Sequence, residues 1–160
     1  MTAQDIKKEL LEISSPEKKV ILERFFKTGK GQYGEGDVFL GITVPQLRSI
    51  VKKYKQLENF EVAILLKDEY HECRMTALFF LLSKYEKTKS EAIRYELFQL
   101  YIQHVDYINN WDLVDLTAPT IVGAYFWDRN RNNLYQYAQS NHLWLQRISI
   151  IATFYHIRKN

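Results

Sequence analysis

Ile13-Ser14-Ser15-Pro16-Glu17 stops one helix and starts the next with almost nothing between them. Ile6, Leu10 and Ile13 recur at helical spacing ahead of it and form one apolar stripe. Ser15 is placed to cap a second helix, with Pro16 at its first position, where the missing N–H is no loss. So short a joint forces the two helices to lie antiparallel. The second is expected to run to about Thr28. The loop Gly29-Lys30-Gly31-Gln32-Tyr33-Gly34-Glu35-Gly36-Asp37 follows and holds four of the six glycines. Thr43 is expected to cap a third helix, with Leu47, Ile50, Val51 and Tyr54 as its stripe. Further helices fit about 58–67, 69–87, 89–106, 109–125, 131–139 and 142–158, with Pro119 ending or kinking the run 109–125 near Ala118.

The pattern predicts an all-α protein of some nine helices in antiparallel pairs. No strict repeat is present, yet pairs recurring every 35 to 45 residues match the size of a HEAT-like unit. A compact bundle satisfies the same periodicity. Composition agrees with either: only 6 Gly and 3 Pro in 160 residues, 46% hydrophobic and 26% charged. That length suits one domain, expected over 1–160.

Several function classes are set aside at this level. The single cysteine, Cys73, permits no intramolecular disulfide and reads as a buried, inert thiol. The first eleven residues are polar, and the longest apolar run, Ala77 to Leu82, is too short to span a bilayer. A cytoplasmic protein with no membrane partner is expected. His71, His104, His142 and His156 lack metal-ligand spacing and read as ordinary surface or packing residues, so no metal and no cofactor is expected. No Gly-x-Ser-x-Gly elbow occurs. The glycine loop follows a helix rather than a strand and lacks the phosphate-binding fingerprints. Gly34 and Gly36 are expected to supply positive φ there while the loop packs Tyr33, Val38 and Phe39. The net charge of +3 is compatible with an anionic partner without requiring one.

Two segments offer chemistry. In Asn109-Asn110-Trp111-Asp112-Leu113-Val114-Asp115, Trp111 and Asp115 stand at i and i+4 and share a helix face. Leu113, Leu116, Thr120 and Ala124 are expected to face the core instead, with Asp112 on another side. Half-buried packing by Trp111 and a solvated charge at Asp115 satisfy the same spacing. In Trp144-Leu145-Gln146-Arg147-Ile148-Ser149-Ile150, Trp144 and Arg147 are neighbours at i and i+3, with Ile148, Ile151, Ala152 and Tyr155 as the buried stripe. Arg147 can clamp a phosphate with its planar fork or pair with a carboxylate on the preceding helix.

Taken together, three segments resemble the DNA alkylation repair family of HEAT-like-repeat proteins. The first is Tyr33-Gly34-Glu35-Gly36-Asp37-Val38-Phe39-Leu40-Gly41-Ile42 with Val44-Pro45 and Arg48 after it; the others are the Trp111 and Trp144 segments, with Gln146 where the family has arginine. The likeness runs from about residue 5 to the end, in the family's order and spacing. It implies a HEAT-like α-solenoid and a monomer acting on duplex DNA that contains alkylated bases. It also implies a DNA glycosylase that releases cationic N-alkylated purines such as 3-methyladenine and 7-methylguanine, without flipping the base. Matched to the family, the catalytic residues are Asp115, Trp111 and Arg147. Tyr33, Trp144 and Arg48 fall at DNA-facing positions. The family continues through further helices, so the resemblance implies that its C-terminal helices are missing after Asn160. A non-catalytic module that recognises distorted duplex and a HEAT-type protein-interaction scaffold are the other readings of the same chain.

Overall fold

Local capping chemistry starts the helices where the sequence places it. In the computed structural model, which describes residues 1–54 and 57–159, the Thr2 hydroxyl accepts from the Asp5 amide at 3.2 Å. The Asp5 carboxylate accepts from the Thr2 amide at 2.8 Å, so two orphan donors are satisfied reciprocally at the start of α1, Ala3–Glu12. Ser15 caps α2, Pro16–Phe25, which ends three residues short of Thr28. Thr43 is the N-cap of α3, Val44–Lys53, and both its amide and its hydroxyl donate to the Gln46 side chain.

The remaining helices are α4, Asn59–Leu66; α5, His71–Lys87; α6, Glu91–Gln103; α7, Trp111–Asp115; α8, Asn132–Ala138; and α9, Leu143–Lys159. A single 3-10 turn spans Val105–Tyr107, and a π-helical turn spans Pro119–Gly123. Among the described residues there is no strand, and one isolated bridge joins Val38 to Tyr70. The last residue of the expected domain, Asn160, lies outside the described residues. The chain forms two compact units, Met1–Phe80 and Leu81–Asn160.

In the first unit α1 packs on α4, and Ile6, Leu10, Val62, Leu65, Leu66 and Leu78 are fully buried. The turn after the glycine loop is held by one carboxylate. Glu72 is 2% exposed and accepts from the amides of Leu40, Gly41 and Ile42 at 2.8, 2.8 and 3.1 Å. Gly41 has φ +82°, and a Cβ there would lie 2.1 Å from the Ser15 carbonyl oxygen. Only glycine lets this turn meet the start of α2. In the preceding loop Gly36 has positive φ as expected, whereas Gly34 does not, and Tyr33 is 46% exposed rather than packed.

His71 is not an ordinary packing histidine. Its Nδ1 lies 2.8 Å from a carboxylate oxygen of Asp37, whose other oxygen accepts from Arg74. All three side chains are buried. Burial pushes the Asp37 carboxyl up, but the His71 hydrogen bond and charge and the Arg74 guanidinium overcome it, so the group sits below the usual carboxylate range. Cys73 is buried as expected, and burial pushes its thiol pKa up, away from reactivity.

In the second unit α6 and α9 both pack on the π turn, and α9 also packs on α7 and α8. Leu97, Tyr101, Leu113, Val114, Ile121, Val122, Ile148 and Ala152 are fully buried there. Phe98 stacks on Tyr125 with ring centroids 4.0 Å apart, and Arg129 closes the edge by pairing with Glu91.

Two outcomes test this account of the first unit. Glu72→Ala strands three amides, each worth about 1–3 kcal/mol when left unsatisfied. Urea denaturation is therefore expected to show a loss of several kcal/mol, against almost none for Glu12→Ala on the surface. For Asp37 the folded pKa is depressed, so its contribution is complete above the ordinary carboxylate pKa and is lost as pH falls through the lowered value. The stability gap between the parent and Asp37→Asn is thus expected to narrow between roughly pH 5 and pH 2. A gap independent of pH over that range would contradict the assignment.

Candidate functional site

The run 109–125 is broken in two at the proline expected to end or kink it, and the break is what presents the candidate residues. Asn110, fully buried, caps α7 by accepting from the Trp111 amide at 2.8 Å. The helix lasts only from Trp111 to Asp115. Pro119 has no N–H to give the Asp115 carbonyl, so the α ladder cannot continue through this point. The Thr117 amide turns back to the Val114 carbonyl at 3.1 Å. The chain then re-enters as the π turn, in which the Ala124 amide reaches the Pro119 carbonyl.

Two expectations are corrected here. Leu116 does not face the core but is 39% exposed at the C-cap of α7, whose buried residues are Asp112, Leu113 and Val114. Thr120 and Ala124 are half-buried rather than core. Asp112, expected on a different face from Asp115, is 8% exposed and its carboxylate accepts from the Leu113 amide at 2.8 Å.

Asp115 and Arg147 meet. Arg147 Nε donates to one oxygen of the Asp115 carboxylate at 2.8 Å, and its Nη2 donates to the other at 2.7 Å. This is the planar fork-on-carboxylate geometry that lysine cannot reproduce. The two side chains keep 39% and 31% of their surface in contact with solvent, so the pair sits at the edge of the unit rather than inside it. The carboxylate that Arg147 meets is not on the preceding helix, α8, which carries no Asp or Glu, but on α7. Trp111 is half-buried one turn before Asp115 on α7, and Trp144 is half-buried one turn before Arg147 on α9. At the start of α9 the His142 imidazole lies 3.0 Å from Asp106 and the Gln146 side chain donates to the Ser140 carbonyl at 2.6 Å.

What aligns α7 with α9 is a contact that sequence reading missed. A Cβ on Gly123 would lie 2.2 Å from the Ala152 carbonyl oxygen and 2.8 Å from the Tyr155 Cβ. Hence α9 rests directly on the backbone of the π turn. His156, 9% exposed, donates from Nε2 to the Gly123 carbonyl at 2.8 Å and fixes the register. A lone glycine inside a helical stretch was the available signal for close backbone approach.

The other two candidates lie in the first unit, on different elements. Tyr33 is exposed on the glycine loop. Arg48 is exposed on α3 with its guanidinium 4.4 Å from the centroid of Phe79.

Among the described residues no helix is long and apolar enough to cross a membrane, and no group of three or more His, Cys, Asp or Glu side chains is placed to hold a metal ion. A family model described as DNA alkylation repair enzyme matches residues 6–160. No curated protein matches the chain, and neither does any solved structure.

The geometry separates two roles by stability. The Asp115–Arg147 pair is about a third exposed, so Arg147→Ala is expected to cost no more than about 1 kcal/mol. Gly123→Ala forces α9 away from the π turn and is expected to cost at least 1–3 kcal/mol. Chemical denaturation of both variants checks this; equal losses would contradict it.

Proposed function

The chain belongs to the DNA alkylation repair enzyme family, and from that premise we propose that it is a DNA glycosylase releasing cationic N-alkylated purines, such as 3-methyladenine and 7-methylguanine, from duplex DNA. The observation that carries the reading is the carboxylate of Asp115, held bidentately by Arg147 at a solvent-facing edge with the Trp111 indole one turn away. The reading brings with it the HEAT-like stacking of helix pairs that the resemblance implies, with Tyr33, Trp144 and Arg48 toward the DNA.

An N-alkylated purine already bears the positive charge that makes it a leaving group. No general acid is then required. As the glycosidic bond lengthens, the deoxyribose acquires oxocarbenium character, as in other glycosidic cleavages. Asp115 stabilises that cation and orients the attacking water. Trp111 offers the negative face of its indole to the same charge. Arg147 keeps the carboxylate aimed, and its positive charge favours the phosphate beside the lesion. Side chains that are half-exposed rather than enclosed suit chemistry on a base left in the helix, unlike the pockets that receive flipped bases.

Asp115→Asn keeps the shape and removes the charge. Release of 7-methylguanine from methylated duplex is expected to fall by about two orders of magnitude or more, while affinity for duplex holds or improves. Asp128→Asn, at another exposed position, is the insensitive control. Release by Asp115→Asn at the parent rate would sink the mechanism. Binding of duplex by the parent without any base release would leave a DNA-binding module in its place.

A further inference from the structure

Behind α7 runs a buried chain of hydroxyls whose direction is fixed by chemistry. The Thr117 hydroxyl bonds to the Leu113 carbonyl, which can only accept, so its proton is committed there. The Tyr101 hydroxyl lies 3.0 Å from the same Thr117 oxygen and must therefore be the donor. The order is Tyr101 O–H to Thr117 O–H to Leu113 C=O. Tyr101 and Thr117 are both 0% exposed, so no bulk water replaces either bond.

These two bonds fall at the break that ends α7. In an uninterrupted helix the Leu113 carbonyl would accept from the Thr117 amide. Here that amide goes to Val114, and the Thr117 side chain takes its place on Leu113. Thr117 thus closes the last turn of a helix only five residues long, and Tyr101, on α6, fixes the rotamer of Thr117 from the unit's core. Asp115 is the last residue of that turn. Burial pushes the Tyr101 phenol pKa up, the Thr117 hydrogen bond opposes this, and the negative charge of Asp115 adds to the rise.

We propose that Tyr101, acting through Thr117, is a positioning residue for Asp115: the hydroxyl chain sets the pose of the last turn of α7, and so the angle at which the carboxylate meets the Arg147 fork. Packing alone leaves a short helix free to tilt, since apolar contacts are non-directional. The hydrogen bonds supply direction, which a bidentate pair and a catalytic carboxylate both need. Neither residue touches DNA in this role. Only the kinetic consequence rests on the glycosylase reading; the geometric one does not.

The test uses Tyr101→Phe, which keeps the ring, with Thr117→Val and Thr117→Ser as a pair that removes and restores the hydroxyl. The direct readout is the Arg147 Nε–H signal in the nitrogen-15 NMR spectrum of the free protein, because that proton is shared with Asp115. Asp115→Asn gives the position of the signal once the carboxylate charge is gone. Tyr101→Phe and Thr117→Val are expected to move the signal toward that position, and Thr117→Ser to hold it at the parent's. On methylated duplex, kcat for base release is expected to drop about tenfold in the first two variants with KM unchanged, and Thr117→Ser to retain it. An Nε–H signal that Tyr101→Phe leaves in place overturns the proposal. So does Thr117→Ser behaving as Thr117→Val does. A parent that releases no base overturns the glycosylase reading instead, and the Nε–H signal still decides the role of Tyr101.

Discussion

The candidate site depends on a place where no side chain fits. The Ala152 carbonyl oxygen and the Tyr155 Cβ occupy the space that a Cβ on residue 123 would require. The axis of α9 can therefore approach the π turn to backbone contact, and the His156 imidazole locks the approach by donating to the Gly123 carbonyl. Close approach at one end fixes what meets at the other. Arg147 lies two turns before His156 on the same rigid helix, and Asp115 lies just before the π turn that Gly123 ends. A larger residue at 123 would move α9 outward and spoil a pairing whose two donor distances, 2.8 and 2.7 Å, leave little slack.

Irregularity in the second unit has a cause at each step. Pro119 removes the N–H that would have continued α7, and the π turn absorbs the resulting offset. Backbone groups left over at the two ends of α7 are then satisfied locally: at its start the Asp112 carboxylate takes the Leu113 amide, and at the break the Thr117 hydroxyl takes the Leu113 carbonyl. The first unit solves a like problem differently. There a single buried carboxylate, Glu72, gathers three amides of a turn that no helix or strand could satisfy. Both units therefore use side chains to satisfy the backbone of a stretch that regular helix does not.

What was legible in the sequence follows from the range of the interactions involved. Helix starts at Ser15 and Thr43 were readable because capping acts within three residues. Trp111 with Asp115 and Trp144 with Arg147 were readable as neighbours because helical spacing is local, and the three segments together identified the family. The pairing of Asp115 with Arg147 spans 32 residues and was not legible, since the sequence offered Arg147 a phosphate or a carboxylate on the preceding helix. It is set by the glycine contact between α9 and the π turn, which periodicity does not register. Thr120 and Ala124 were misplaced for a related reason. A 3.6-residue period carried through Pro119 assigns faces to a helix that has already stopped. The buried group of Asp37, His71 and Arg74 joins residues 34 and 37 positions apart, each of which reads alone as a surface residue.

On the glycosylase reading proposed above, a carboxylate in a surface that meets a polyanion is an electrostatic liability, and Arg147 resolves it without discarding the charge. In the free protein the pair is neutral from a distance, so an approaching phosphate within a Debye length of about 8 Å meets little net repulsion. Near contact the pair is a dipole with its negative end at Asp115. A sugar that is neutral in the ground state gains little from that end; a sugar turning cationic gains much more. In the proposed reaction the same residues thus favour the charge-separated state over the bound substrate, which is the differential interaction that raises rate rather than affinity. The gain holds only while the dipole keeps its direction, because water at a site about a third exposed reorients freely and a hydrogen-bonded carboxylate does not. Direction is supplied by the fork of Arg147 in front and by the short helix behind, and both trace back to the contact at Gly123.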